Sequence, residues 1–245
     1  MIKIPAVIIA TPGMERFKPL ANALEHGDLF DIIILKATMG HELLQASDEE
    51  KECELKNYGR FLTANERACS ISHVQARRII SESEIGGIIF EDDARILHLG
   101  LLQEVAMDYL ERFKDKKRVL NLVLYHPEAR VKRFGKFSDV PRYFPLLAES
   151  PLAVATIQTK FAAADLNQGA KTYSQVSDWP HSKCRFHILR RPLVNHGDED
   201  TSSVIGKKEE RIDLGPLDLV KNLDFRRVYL LIKRKLDLVI IRILQ

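Results

Sequence analysis

Ile88-Ile-Phe-Glu-Asp-Asp-Ala94 is the stretch that decides how this chain is read. Ile88 to Phe90 is short and apolar and follows an Ile-Gly-Gly turn, the pattern of a strand buried in a sheet. Three acids follow in a row: Glu91, Asp92 and Asp93. At the C-terminal end of a strand in an α/β sheet they would stand at the mouth where ligands bind. Their charges repel one another there. A hard divalent cation, Mn²⁺ or Mg²⁺, bridging diphosphate oxygens would relieve that repulsion, because such ions prefer carboxylate and phosphate oxygens. Taken alone, the triplet reads more simply as a solvated turn.

Working outward, Ala6 to Ala10 reads as another buried strand, stopped at once by Thr11-Pro12-Gly13. A helix from about Met14 to Glu25 follows, then a strand from Asp31 to Leu35. In Thr63-Ala-Asn-Glu66 a threonine hydroxyl and a glutamate three residues later form a capping box, which predicts a helix over 64–82. Val119 to Tyr125 and Leu152 to Ile157 are further strand candidates. Strands alternating with helices predict an α/β fold with a mixed, mainly parallel sheet flanked by helices. Residues 127–149 and 195–216 read as loops over the site.

The whole chain bounds the function. Its 245 residues suffice for one large core, and 45% hydrophobic with 29% charged residues is a globular composition. A net charge of +3, with no aromatic-studded basic repeat, gives no sign of nucleic acid. Cys53, Cys69 and Cys184 are odd in number and scattered, which suits a reducing compartment and lacks the paired spacing of a zinc site. The start, Met1-Ile-Lys-Ile-Pro5, lacks the pattern of a signal peptide, and no uncharged run of about 18 residues offers a membrane span. The expected location is cytoplasmic.

One resemblance sharpens this. Leu62-Thr-Ala-Asn-Glu66-Arg-Ala-Cys69-Ser-Ile-Ser72-His73, followed by Ile-Ile-Phe-Glu-Asp-Asp, resembles glycosyltransferase family 25, whose members transfer sugars in lipooligosaccharide and lipopolysaccharide assembly. The usual pattern there is leucine, threonine, any residue, Gly-Glu-Ile-Gly-Cys, two residues and Ser-His, then an apolar strand ending in Glu-Asp-Asp. Asn65, Arg67 and Ala68 depart from it, replacing Gly, Ile and Gly. Ile8-Ile-Ala leading to Arg16, Ala37-Thr-Met-Gly40, Ala153 to Ala164, Ser177-Asp178-Trp179 and Thr201-Ser202-Ser203 are similar to further family positions. The likeness covers roughly residues 4 to 204.

The resemblance implies a GT-A-like nucleotide-diphospho-sugar transferase that inverts the anomeric carbon. Its donor would be a nucleotide sugar, UDP-galactose first, and its acceptor a glycan or glycolipid. Arg16, Glu91, Asp92, Asp93 and His73 are then the donor-binding candidates. Asp93, Asp92 and His196 are the metal ligands. Asp178, beside Trp179, is the candidate base for the acceptor hydroxyl. Each has a plainer alternative: Arg16 an exposed arginine, Asp178 a cap for a proline-started turn, His196 part of the polar turn Asn195 to Asp200. Glu66, Cys69 and His73 can share one helix face, which either supports the acidic loop or holds a cap, a small core residue and an interior histidine.

The catalytic domain is expected over 1–220, with a basic amphipathic helix in 221–245. Phe225, Val228, Tyr229, Ile232, Leu236, Val239, Ile240 and Ile243 fall on one helical face, and Arg226, Arg227, Lys233 and Arg234 on the other. Such a helix suits an anionic membrane surface at the inner face of the cell membrane, or packing on the domain or on a second copy in a homodimer. Two rival functions remain. One is an inactive membrane-associated scaffold that keeps the transferase fold. The other is a metal-dependent phosphotransferase or hydrolase, for which the chain lacks an Asp-x-Asp-x-Thr motif or a P-loop.

Overall fold

The computed structural model describes residues 2–58, 60–123, 143–145, 154–169, 183–189 and 192–196. In chain order these form β1 (Ile4–Ala10), α1 (Lys18–Glu25), β2 (Phe30–Lys36), a single 3-10 turn (Gly40–Glu42), α2 (Asp48–Tyr58) and α3 (Ala64–Glu82). Then come β3 (Gly86–Glu91), β4 (Ala94–Ile96), α4 (Leu99–Phe113), β5 (Arg118–Asn121), β6 (Tyr143–Pro145), β7 (Ala155–Thr159), α5 (Lys160–Gly169), β8 (Arg185–Leu189) and β9 (Val194–His196).

The main sheet has seven strands in the order β2-β1-β3-β7-β5-β8-β6. β2, β1, β3, β5 and β8 run one way, and β7 and β6 run against them. The mixed, mainly parallel α/β sheet read from the sequence is therefore present. β4 and β9 pair in a separate two-stranded sheet. Two segments read as loops contain strand: Tyr143–Pro145 lies on the sheet edge, and Val194–His196 forms β9. Polar, aperiodic sequence concealed both, since three residues are too few to show a period.

Period-two alternation sorts the strands into a three-layer arrangement. Ile4, Ala6 and Ile8 of β1, with Ile88 and Phe90 of β3, pack with Leu20 and Leu24 of α1 and Leu102, Val105 and Tyr109 of α4. Val7, Ile9 and Ile89 face the other way, against Ala76 and Ile80 of α3 and Ala163 of α5. α1 starts at Lys18, not Met14, because Pro19 sits in its first turn, where a missing N–H costs nothing. α3 spans the predicted residues, and its capping box is formed: Thr63 Oγ1 accepts from Glu66 N, and Glu66 Oε2 accepts from Thr63 N. Gly86 opens β3 at φ +127°, where a Cβ would stand 2.3 Å from Gln158 O, so that turn requires glycine. No helix among the described residues is long and apolar enough to cross a membrane. The segment 221–245 lies outside the described residues.

Candidate active site

The strand order creates the site. From β1 the chain steps to β2 on one side and then crosses back to β3 on the other, so the carboxyl ends of β1 and β3 flank a topological switch point. β1 and β3 run in register there, Ile9 beside Glu91. The turn after β1 carries Thr11 and Arg16, and the turn after β3 carries Asp92 and Asp93.

The alternation that built the core also separates the three acids. Glu91 shares its face with Ile89 and so meets α3, where its Oε1 lies 3.0 Å from His73 Nε2. Asp92 turns toward the other layer and is only 3% exposed. Its Oδ2 accepts from Thr11 N at 2.9 Å, and its Oδ1 pairs with Arg16 Nη2 at 2.9 Å. Arg16 Nη2 also reaches Thr11 Oγ1 at 3.5 Å. Asp93 is half-buried in the two-residue turn that leads to β4. The mutual repulsion expected of the triplet is thus relieved for Asp92 by Arg16, and Glu91 has the His73 imidazole beside it.

β4 continues directly from Asp93, and its first residue, Ala94, is paired with His196 of β9. The backbone of the third candidate metal residue therefore lies across from the residue that follows Asp93. Arg16, Glu91, Asp92, Asp93 and His73 converge around one strand mouth, while Asp178, Trp179 and Thr201-Ser202-Ser203 lie outside the described residues.

Behind the mouth, α3 is fixed from several sides. Ser72 Oγ accepts from Thr38 N and donates to Ala68 O, which ties the Ala37-Thr-Met-Gly40 turn to the helix. Gly40 presses on the start of α3, where a Cβ would stand 2.8 Å from Asn65 N. Arg60 makes a two-pronged pair with Glu66, at 2.8 and 2.6 Å. The departures from the family pattern have partners too: Arg67 pairs at 3.1 Å with Glu54, which is fully buried and also accepts from Leu62 N. Further along α3, burial lowers the pKa of Arg77 to about 10.

Sequence reasoning missed Thr11, whose backbone N–H anchors Asp92; the turn signal Thr-Pro-Gly marked the place but not the partner. Cys69, expected on one helix face with Glu66 and His73, is half-buried one helical turn before His73. The Cys69 sulfur, a His73 ring nitrogen and a Glu91 carboxylate oxygen all lie within 4.8 Å of one another.

The anchored acidic turn therefore stands at the switch point of the sheet, the place where open α/β sheets bind their ligands. The family is specific: residues 16–146, just over half of the chain, match Glycosyltransferase family 25 (LPS biosynthesis protein), and the chain belongs to that family. No curated protein matches the chain. The protein is thus a glycosyltransferase, with a sugar donor and a glycan acceptor as its substrates.

Proposed function

We propose that this enzyme moves a hexose, galactose from UDP-galactose first, onto a growing lipooligosaccharide or related surface glycan, with inversion at the anomeric carbon on a GT-A-type fold. The observation that carries this reading is the Glu91-Asp92-Asp93 turn at the β1/β3 switch point, held by Thr11 and Arg16. Arg16 stands where a departing diphosphate would need positive charge. Its Nε is buried without a hydrogen-bond partner among the described residues, so a phosphate oxygen there would satisfy it. Asp178 takes the proton from the acceptor hydroxyl as it attacks.

The residues fit a divalent cation, though not as a triplet. Asp92 is committed to Arg16 and Thr11, and Glu91 to His73. Asp93 and His196 would hold Mn²⁺ or Mg²⁺, supported by the register that pairs Ala94 with His196, and the ion would offset the charge of the leaving diphosphate. Residues 225–245 would lie on an anionic membrane surface and bring the enzyme to a lipid-anchored acceptor.

The test is a panel of UDP-, GDP- and CMP-sugars assayed for slow donor hydrolysis with and without Mn²⁺. Release of UDP from UDP-galactose, raised by Mn²⁺, is the expected result. If no sugar nucleotide is hydrolysed under any condition, the chain is a scaffold with a transferase fold.

A further inference from the structure

We propose that Cys69, His73 and Glu91 form a binding site for a borderline-soft divalent cation of the zinc type, separate from the hard-cation site at Asp93. Sulfur, imidazole nitrogen and carboxylate oxygen lie within 4.8 Å of one another, and His73 Nε2 and Glu91 Oε1 are already 3.0 Å apart. Zinc bound at about 2.0–2.3 Å by such donors holds them roughly 3.3–3.8 Å from each other. Small side-chain movements close the remaining gap.

The scaffold is rigid where this chemistry needs it to be. Cys69 and His73 are four residues apart on α3, so they project from one face on successive turns. That helix is pinned by its capping box and by the Ser72 to Thr38 hydrogen bond. Glu91 ends β3, and its backbone N donates to Val154 O at 2.8 Å. His73 is 1% exposed and so is held in place by the packing around it, while Cys69 and Glu91 are only half-buried.

The donor set selects the ion. A thiolate favours zinc over magnesium or manganese, and three protein ligands leave one position of a tetrahedron for water or substrate. On binding, the Cys69 thiol gives its proton to solvent, the proton on His73 Nε2 is lost to solvent while Nδ1 takes one up, so that the neutral imidazole coordinates through Nε2, and metal bonds replace the His73–Glu91 hydrogen bond. One thiolate and one carboxylate then balance the dication. The ion would clamp the end of β3 to α3 from behind the acidic turn. This inference rests on the three side chains and not on the identity of the donor.

The experiment uses the full-length chain, stripped with chelator and titrated with Zn²⁺, and with Co²⁺ as a spectroscopic probe. One equivalent should bind, cobalt should show a thiolate charge-transfer band, and a large excess of Mn²⁺ should not displace zinc. Cys69→Ser and His73→Ala should each lose the site, while Cys53→Ser and Cys184→Ser keep it. Alkylation of Cys69 in the wild-type chain, slowed by zinc, gives a readout that needs no variant to fold. Zinc that leaves Cys69 as reactive as before, a cobalt band that persists in Cys69→Ser, or displacement by Mn²⁺ would each overturn the proposal.

Discussion

The two faces of the central sheet are made of different material. Toward α1 and α4 the core is apolar and continuous, and its buried polar groups are paired: Tyr109 OH and His187 Nδ1 lie 2.7 Å apart, and Asp92 at the rim is held by Arg16 and Thr11. Toward α3 and α5 the apolar cluster is small, and Ser70, Ser72, His73, Arg77, Thr156 and Gln158 are buried beside it. Ser70 Oγ, Arg77 Nε and Gln158 Oε1 have no hydrogen-bond partner among the described residues. Burying such groups costs about 1–3 kcal/mol each, so this layer is poor material for stability. The fold draws its stability from one side and keeps polarity on the side that supports Glu91.

Substitutions on the two faces should therefore behave differently. Tyr109→Ala should produce the largest loss of stability, about 4 kcal/mol, because it empties a fully buried aromatic site ringed edge-on by Phe113, Tyr143 and His187. Turnover per folded molecule should not change, as urea unfolding and an active-site-normalised assay would reveal. A variant of normal stability would dissolve the contrast.

The acids come next. Asp92→Ala strips the partner from Arg16 and should cost about 3 kcal/mol along with activity. Asp93→Ala should leave the melting temperature close to wild type while donor hydrolysis in limiting Mn²⁺ falls by roughly 10²-fold or more. Parallel melting curves and rates decide this, and equal stability losses would mean that both acids are structural.

Acid should weaken the α4 face. Burial, with Arg118 and Arg185 nearby, lowers the pKa of His187 to about 4. The unfolded chain takes up a proton near pH 6.5 that the folded chain refuses until about pH 4. Stability is thus intact above pH 6.5 and is lost as the pH falls from there toward 4, by about 2–3 kcal/mol in all. His187→Gln should flatten this slope in denaturant titrations across that range. Ser72→Ala is the smallest effect, about 1 kcal/mol, since it removes the bond to Thr38 N from a helix held at other points. Its signature is a weakened hold on the 37–40 turn, read by hydrogen exchange at Thr38.

Much of this organisation was legible in the chain. Ile88 to Phe90 and Ala6 to Ala10 declared the central parallel strands, and Thr63 with Glu66 placed the start of α3. The acids were read as one repelling triplet, whereas the alternation that puts Glu91 on the face of Ile89 sets it apart from Asp92. α2 was missed because Asp-Glu-Glu-Lys-Glu-Cys-Glu has no apolar stripe, and its Glu54 is held by an ion pair that only folding reveals. β4 and β9 were missed because each is three residues long and finds its partner about a hundred residues away. Cys69 and His73 were read as sharing a helix face, but the third member of their cluster, Glu91, stands a whole strand further along.

The contact between Thr11 and Asp92 spans 81 residues. Closing a loop of that size costs on the order of 4 kcal/mol in chain entropy, so the acidic turn cannot be anchored by local structure alone. During synthesis at about 5–20 residues per second, the Arg16–Asp92 half of the site has its residues roughly 5–20 s before the strand bearing His196 emerges. The residues of that anchor are therefore synthesised well before β7, which completes the pairing of β3, and before β9, which pairs with β4.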